Sequence, residues 1–404
     1  MKNTAFPALP VSEHVWWVGA ADWNVRNFHG YRTGRGSTYN AFLIIDDHIT
    51  LIDAVKAPFS SEMLERVRSV IDPEQVDFIV SDHSEPDHSG GLRQLISATK
   101  PRQVFASAVG VKTLKAYYGE DLELTAVAPG GTLDLGQGKL HFADTKMLHW
   151  PDSMISYFDR DRVLFSQDAF GMHLAGSRLW ADEYPAELLE YEARKYYANI
   201  INLQSPKVLA VLDALPQLNW DIAAILPDHG PLWRQNLDRI QKLYRELAEN
   251  RMTPRATVVY CTMWHATEKM AFALAEGIRE AGLPVKVLDL AENDRSEVMT
   301  EVASSGLVAF GAPTMNNQMY PAMADVLCYL KGLKVRNKLA FAFGAYGWSG
   351  EGAKQIAAEL TAMTLEQPCE LFQVKYMPDA AALLQLRETG CRLGRELLER
   401  CRQS

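Results

Sequence analysis

Cysteine is scarce in this chain and scattered. Five occur in 404 residues, Cys261, Cys328, Cys369, Cys391 and Cys401, and none forms a C-x-x-C pair. That pattern excludes a disulfide scaffold and a four-cysteine metal site, and it fits a reducing cytoplasm. Long apolar runs are also missing. No stretch reaches the roughly 18 residues that a membrane span requires, so no membrane association is expected. The opening "MKNTAFPALPVSEHVWWVG" has one lysine and no apolar core, and does not read as a secretory leader. Basic excess is lacking: 41 Lys+Arg against 50 Asp+Glu leave a formal charge of −9, which argues against nucleic acid as the main partner. There is no G-x-x-x-x-G-K-[ST] phosphate loop, no internal repeat and no low-complexity segment.

The chain is too long for one ordinary core, so two domains are expected. The first part reads as short strands and turns. "NAFLIIDDHITLIDAV" is a hairpin split at Asp46-Asp47-His48, and "MISYFDRDRVLF" is another, turning at Asp159–Arg162. "VDFIV" and "QVFAS" are buried-strand candidates, while "SEMLERVRSVI" and "AELLEYEARKYYANIINL" have helical periodicity. Two sheets flanked by helices follow, over residues 1–250. The charged helix "LDRIQKLYRELAEN" then meets a breaker at Pro254. Beyond it, five strands ("ATVVY", "PVKVLDL", "GLVAFG", "KLAFAFG", "CELFQV") alternate with helices. This predicts a doubly wound parallel sheet over residues 254–404.

Chemistry concentrates in "SDHSEPDHSGG", directly after "VDFIV". Pro86 cannot continue a strand ladder, so His83, Glu85, Asp87 and His88 lie on a loop at a strand end, where ligands can converge. Taken alone, such a segment could simply cap the following helix. Downstream, His149 in "KMLHWPDSM", Asp168 in "VLFSQDAF" and His229 in "ILPDHGPLW" stand in similar places. Four histidines and three carboxylates are enough for two metals bridged by one carboxylate.

The order H-x-[EH]-x-D-H, then H, D and H, resembles the metallo-β-lactamase fold. Glu85, where the hydrolases carry histidine, resembles the flavodiiron proteins. A carboxylate in place of an imidazole makes the site harder and more anionic, better suited to iron than to zinc. The resemblance implies His83, Glu85 and His149 on one iron, Asp87, His88 and His229 on the other, and Asp168 as the bridge. It also offers His29, in "NFHGYRTGRGSTYNAFL", as a residue beside the pocket able to supply protons. Trp150, directly after His149, is placed to wall the pocket or to fill the core. His14, His48, His141 and His173 sit in polar or turn contexts and read as surface residues.

In the second part, "VVYCTMWHATEKMA" runs from a strand into a helix, where backbone N–H groups favour an anion. It resembles the phosphate loop of flavodoxins, which bind FMN. The resemblance implicates Thr262, Met263, Trp264, His265, Ala266 and Thr267; Ala266 stands where the flavodiiron version has serine, so one hydroxyl is missing. "GAPTMNNQMYP" and "GAYGWSGEG" follow the next strand ends and add Pro313, Thr314, Asn316, Asn317, Ala345, Tyr346, Gly347, Trp348 and Gly350, where ligands of such sheets lie.

The resemblance spans about residues 5–400. It implies a metallo-β-lactamase-like αββα sandwich followed by a flavodoxin-like domain, holding two iron ions and FMN. It further implies reduction of O2 to water, NO to nitrous oxide, or both. A head-to-tail homodimer, alone or paired into a tetramer, is implied as well. No four-cysteine rubredoxin module follows the flavodoxin part, so the expected donor is a separate rubredoxin or similar carrier. A dinuclear hydrolase with a regulatory flavodoxin domain is the main competing reading, against which Glu85 and the flavin loops argue. The complete ligand set argues against a plain electron carrier.

Overall fold

The computed structural model describes residues 4–403; Met1–Asn3 and Ser404, at the ends of the two expected domains, lie outside the described residues. Two compact units form. One comprises residues 4–28, 33–196 and 204–245, and the other His29–Arg32, Tyr197–Leu203 and residues 246–403. Two short segments of the first 250 residues thus belong with the second unit, a division that a single cut in the sequence does not represent.

The first unit is a two-sheet sandwich. Its seven-stranded sheet begins antiparallel, with the expected hairpin of Phe42–Ile44 against Thr50–Ile52. It continues in parallel through Phe78–Ser81 and Gln103–Ser107. The pleat sends alternate residues to opposite faces. Leu43, Leu51, Ile79 and Val104 pack outward onto helices through Met63, Leu64, Val67 and Leu95. Phe42, Ile44, Ile52, Val80 and Phe105 face Leu140, Phe142, Phe158, Phe165 and Leu226 of the second sheet. In that sheet Met154–Phe158 pairs antiparallel with Val163–Gln167, and the latter runs parallel to Ala224–Pro227. The register puts Gln167 beside Pro227, so the residues after both strands emerge together.

The second unit is a five-stranded parallel sheet in the order Val285–Asp289, Ala256–Tyr260, Leu307–Gly311, Leu339–Tyr346, Phe372–Lys375. In chain order that is 2-1-3-4-5, with its reversal point between Ala256–Tyr260 and Leu307–Gly311. Its two faces bury separate cores, one around Val259, Phe310, Met323 and Ile356, the other around Val258, Phe341, Leu274 and Leu393.

Two elements differ from the sequence reading. The segment from Ala186 is α-helical only to Tyr196; Tyr197–Ile201 widens into a π-turn at the boundary between the units. Helix Arg295–Ala303 was not read from the sequence. Its signal is a capping box: Asp294 accepts from the Ser296 N–H, and Glu297 accepts from the Asp294 N–H. Burial of Ser296 and Thr300 beside Val298, Met299 and Val302 removes the two-sided pattern that marks a surface helix. No described helix is long and apolar enough to cross a membrane.

Candidate metal and flavin sites

Strand Phe78–Ser81 ends in a loop carrying His83 and Glu85, then a single turn, Pro86–Ser89, carrying Asp87 and His88. His149 comes from the loop between Lys139–Asp144 and Met154–Phe158, Asp168 follows Val163–Gln167, and His229 follows Ala224–Pro227. The left-handed residues Gln167 (φ 46°) and Phe170 (φ 68°) turn the chain sharply around Asp168. All seven predicted ligand residues converge in two groups, His83, Glu85, His149 and Asp168, and Asp87, His88 and His229.

The geometry within them is nearly symmetric. Glu85 Oε2 lies 3.3 Å from Nε2 of both His83 and His149. Asp87 Oδ2 lies 3.2 Å from Nε2 of both His88 and His229. Asp168 stands between: Oδ2 is 2.8 Å from His149 Nε2 and 3.3 Å from His83 Nε2, and Oδ1 is 3.4 Å from His229 Nε2 and 3.5 Å from His88 Nε2. Burial alone would raise the Asp168 carboxyl, but His149, His83 and His88 beside it outweigh burial and hold it well below the ordinary range. Burial opposes charge on His149, yet Asp168 and Glu85 push it up to about 9.

The buried Asp87 oxygens and His88 Nε2 make no well-directed hydrogen bond. Buried polar atoms of this kind are costly unless something pairs them. Four inward Nε2 atoms and three carboxylates form a donor set that fits two cations, with the carboxylate share favouring iron.

Sequence reasoning missed the groups that hold these ligands. Asp152 Oδ2 is 3.4 Å from His83 Nδ1 and accepts from Ser84 N and Oγ. Asp228 Oδ2 is 3.6 Å from His88 Nδ1. The Tyr196 hydroxyl donates to Asp168 Oδ1 at 2.9 Å. His229 Nδ1 is 2.6 Å from the Thr38 carbonyl, which can only accept, so Nδ1 carries the proton and Nε2 faces inward with its lone pair. A faint signal existed, an acidic residue one to three positions from a histidine ligand, in "HWPD" and "PDH".

His173 is not a surface residue. It is buried with its ring 4.6 Å from that of His229 and 5.0 Å from that of Tyr196, and its Nδ1 is 2.8 Å from Ser37 Oγ. Burial, then the neighbouring His229, pushes its pKa well down. His14, His48 and His141 are half-buried beside Asp161, Asp77 and Asp159. Trp150 stands edge-on to His83 at 5.4 Å. His29 is exposed, lies in the segment that belongs to the second unit, and is absent from both converging groups.

In the second unit a cavity of about 580 Å³ opens at the C-terminal ends of the strands. The three predicted loops contribute Thr262, Met263, Trp264, Ala266 and Thr267, then Pro313, Thr314, Asn316 and Asn317, then Ala345, Tyr346, Gly347 and Trp348. His265 and Gly350 are not on the wall. His265 pairs with Glu268 at 2.8 Å, and the Gly350 carbonyl accepts from Gln373 Nε2 at 2.6 Å. Met315 and Ser349 join from the same loops, and Tyr376 and Met377 from a fourth loop that the sequence reading passed over. The Thr262 and Thr267 hydroxyls, at the start of helix Ala266–Glu280, are buried without a hydrogen-bond partner. Unpaired donors at a helix N-terminus fit a phosphate. Trp348 is 91% exposed and Trp264 80%, an unusual state for the largest side chain.

Comparison with known proteins agrees with both halves. The family model described as ODP family beta lactamase matches residues 38–230, and the flavodoxin model matches residues 258–390. A rubredoxin-oxygen oxidoreductase of Megalodesulfovibrio gigas is 41% identical over 94% of this chain and 96% of its own length. A nitric oxide reductase of Moorella thermoacetica is 37% identical over 97% and 99%. Among solved structures, the flavodiiron protein from Giardia intestinalis superposes with a TM-score of 0.95 at 33% identity, covering 100% of this chain and 99% of that one. With identity of this level over almost the whole length, the chain belongs to the flavodiiron protein family.

Proposed function

We propose that this is a cytoplasmic oxidoreductase that reduces O2 to water, NO to nitrous oxide, or both, at a non-heme diiron site, with electrons passed through FMN from a carrier such as rubredoxin. One observation carries the reading: the two oxygens of Asp168 face two separate groups, each of two imidazoles and one carboxylate. His83, Glu85 and His149 would hold one iron, Asp87, His88 and His229 the other, and Asp168 would bridge them. The relatives' names, rubredoxin-oxygen oxidoreductase and nitric oxide reductase, support the substrate class.

Bound FMN and iron supply the electron-transfer chemistry, and the protein supplies position, charge and protons. Asp152 and the Thr38 carbonyl orient His83 and His229 with Nε2 inward, as ligand imidazoles require. Tyr196 keeps a proton on its hydroxyl, which donates to Asp168 and steadies it between the two groups. Trp150 covers the His83 side and limits water there. The Thr262 and Thr267 hydroxyls would donate to the FMN phosphate, and Gly347 leaves room for close approach of the ring. We place His29 beside the pocket as a proton donor on the family resemblance alone.

The finer assembly is a head-to-tail homodimer, in which the flavin of one chain serves the irons of the other. Exposed Trp264, Trp348 and Tyr376 around the flavin cavity support it, since monomers seldom leave such a rim uncovered. Carboxylate Glu85 and the flavin cavity disfavour the hydrolase reading. The deciding experiment combines the visible spectrum and metal content of the purified protein with O2 and anaerobic NO consumption fed by reduced rubredoxin. Flavin bands, iron and consumption of either gas are expected. Zinc without flavin, together with ester or thioester cleavage, would show the hydrolase instead.

A further inference from the structure

Beside the metal groups, an aromatic pair leads outward. The Trp150 ring lies 5.4 Å from that of His83 and 6.4 Å from that of His149. Tyr117, at the end of helix Ala108–Tyr118, stacks on the Trp150 ring at 6.5 Å and 24°. Tyr117 is 50% exposed, whereas Tyr39 and Tyr196 of the same unit are wholly buried. Its neighbour Tyr118 differs. The Tyr118 hydroxyl is 2.9 Å from Ser89 Oγ, and burial pushes its phenol up. Indole and phenol are side chains readily oxidised by one electron, the phenol losing its O–H proton as the electron leaves. Here they stand in ring contact, one against two candidate metal ligands and the other in water.

We infer that Trp150 and Tyr117 form a one-electron relay that drains oxidising equivalents from the metal pocket to solvent. The relay rests on the O2-reducing reading above. Complete reduction of O2 requires a full set of electrons, and when the donor runs out midway the pocket is left short of one. That electron comes from the Trp150 indole, and Trp150 is refilled by one electron from Tyr117. The Tyr117 phenol releases its proton to water in the same step. A cytoplasmic thiol returns one hydrogen atom, electron and proton together, and two such events leave one disulfide. Water at Tyr117 is what makes it the terminus: its proton can leave there, while that of Tyr118 is held in the protein. The relay spares His83 and His149, which would otherwise be the nearest oxidisable groups.

The test uses the iron- and FMN-loaded full chain, given O2 with too little reduced rubredoxin and frozen during turnover. Electron paramagnetic resonance should show a tyrosyl radical in the wild type and none in Tyr117→Phe or Trp150→Phe. Peptide mass spectrometry after repeated cycles should find oxidation at Tyr117 in the wild type. In Tyr117→Phe it should move to Trp150, His83 and His149, with iron lost several-fold faster although the initial rate of O2 uptake is unchanged. Uptake of O2 without a radical, or a tyrosyl radical that survives in Tyr117→Phe, overturns the relay alone. A Tyr117→Phe protein that is slower from the first turnover, with damage unchanged, also overturns it, because the pair then carries electrons inward. Absence of O2 uptake by the wild type overturns the proposed function and the relay with it.

Discussion

Asp168 is the residue at which the two cofactor sites separate most cleanly. Asp168→Ala removes the carboxylate shared by both groups while touching nothing in the flavin cavity. It should lose iron and gas consumption and keep FMN, read as a collapsed iron-to-flavin ratio with intact flavin bands. Full iron and turnover in that variant would mean the bridge assignment is wrong. At the other site, Thr267→Ala removes one of two unpaired buried hydroxyls. It should weaken FMN binding by about 1.5–3 kcal/mol, the value of a hydrogen bond to a charged group, and Ala266→Ser should tighten it. Flavin retention on dialysis reads both. His173→Phe deletes the imidazole beside Ser37 and His229. Changes behind a ligand histidine lower metal affinity by about 10–100-fold, so chelator competition should extract iron correspondingly sooner. Candidate ligands such as His83 and Asp87 were legible because type and strand-end position are local properties. His173 was not, since its partner Ser37 is 136 positions away and no local pattern marks it.

At the scale of elements, the flavodoxin-like unit depends on close contact between helices Ala266–Glu280 and Ala380–Gln403. A methyl group on Gly277 would run into the Arg387 carbonyl, and one on Gly390 into the Leu274 carbonyl. Gly277→Ala should therefore lower stability by about 1–3 kcal/mol, as overpacking does, visible as a lower denaturant midpoint of flavin release with iron content unchanged. Lys338, just before strand Leu339–Tyr346, gives a pH signature. It is buried, its Nζ donates to the Ser305 carbonyl at 2.6 Å and the Ala303 carbonyl at 3.2 Å, and burial pushes its pKa down to about 8. An unfolded lysine titrates near roughly 10.4, so between these values the unfolded chain binds more protons and stability rises with pH. The penalty is full below pH 8 and relieved as pH climbs through the window. The midpoint should rise across that window by an amount equivalent to about 2–3 kcal/mol, and Lys338→Met should flatten the rise.

For the whole molecule, the proposed head-to-tail dimer makes a complementation prediction. A chain lacking one proposed metal ligand, His83→Ala, and a chain lacking the proposed phosphate donors, mutated at Thr262 and Thr267, should each be inactive. Mixed dimers should recover activity, because one of their two interfaces pairs an intact flavin with intact irons. A two-fold dimer needs no other component for this. If subunit exchange is demonstrated and no activity returns, electrons pass within one chain.

The residues, with the family resemblance they carry, determined the αββα and doubly wound architectures, the seven converging candidate ligands and the thirteen of fifteen loop residues found on the cavity wall. Each of these depends on side-chain type, apolar period or position at a strand end, all properties of neighbouring residues. Only the tertiary structure decided that Tyr196, Asp152 and His173 stand behind the ligands, that Tyr376 reaches the flavin cavity, and that His29–Arg32 and Tyr197–Leu203 belong with the second unit. Those are contacts between distant positions, formed when sheets stack and loops meet at one edge, and hydrophobic periodicity is blind to them because it constrains which face a residue takes and not which distant residue it meets.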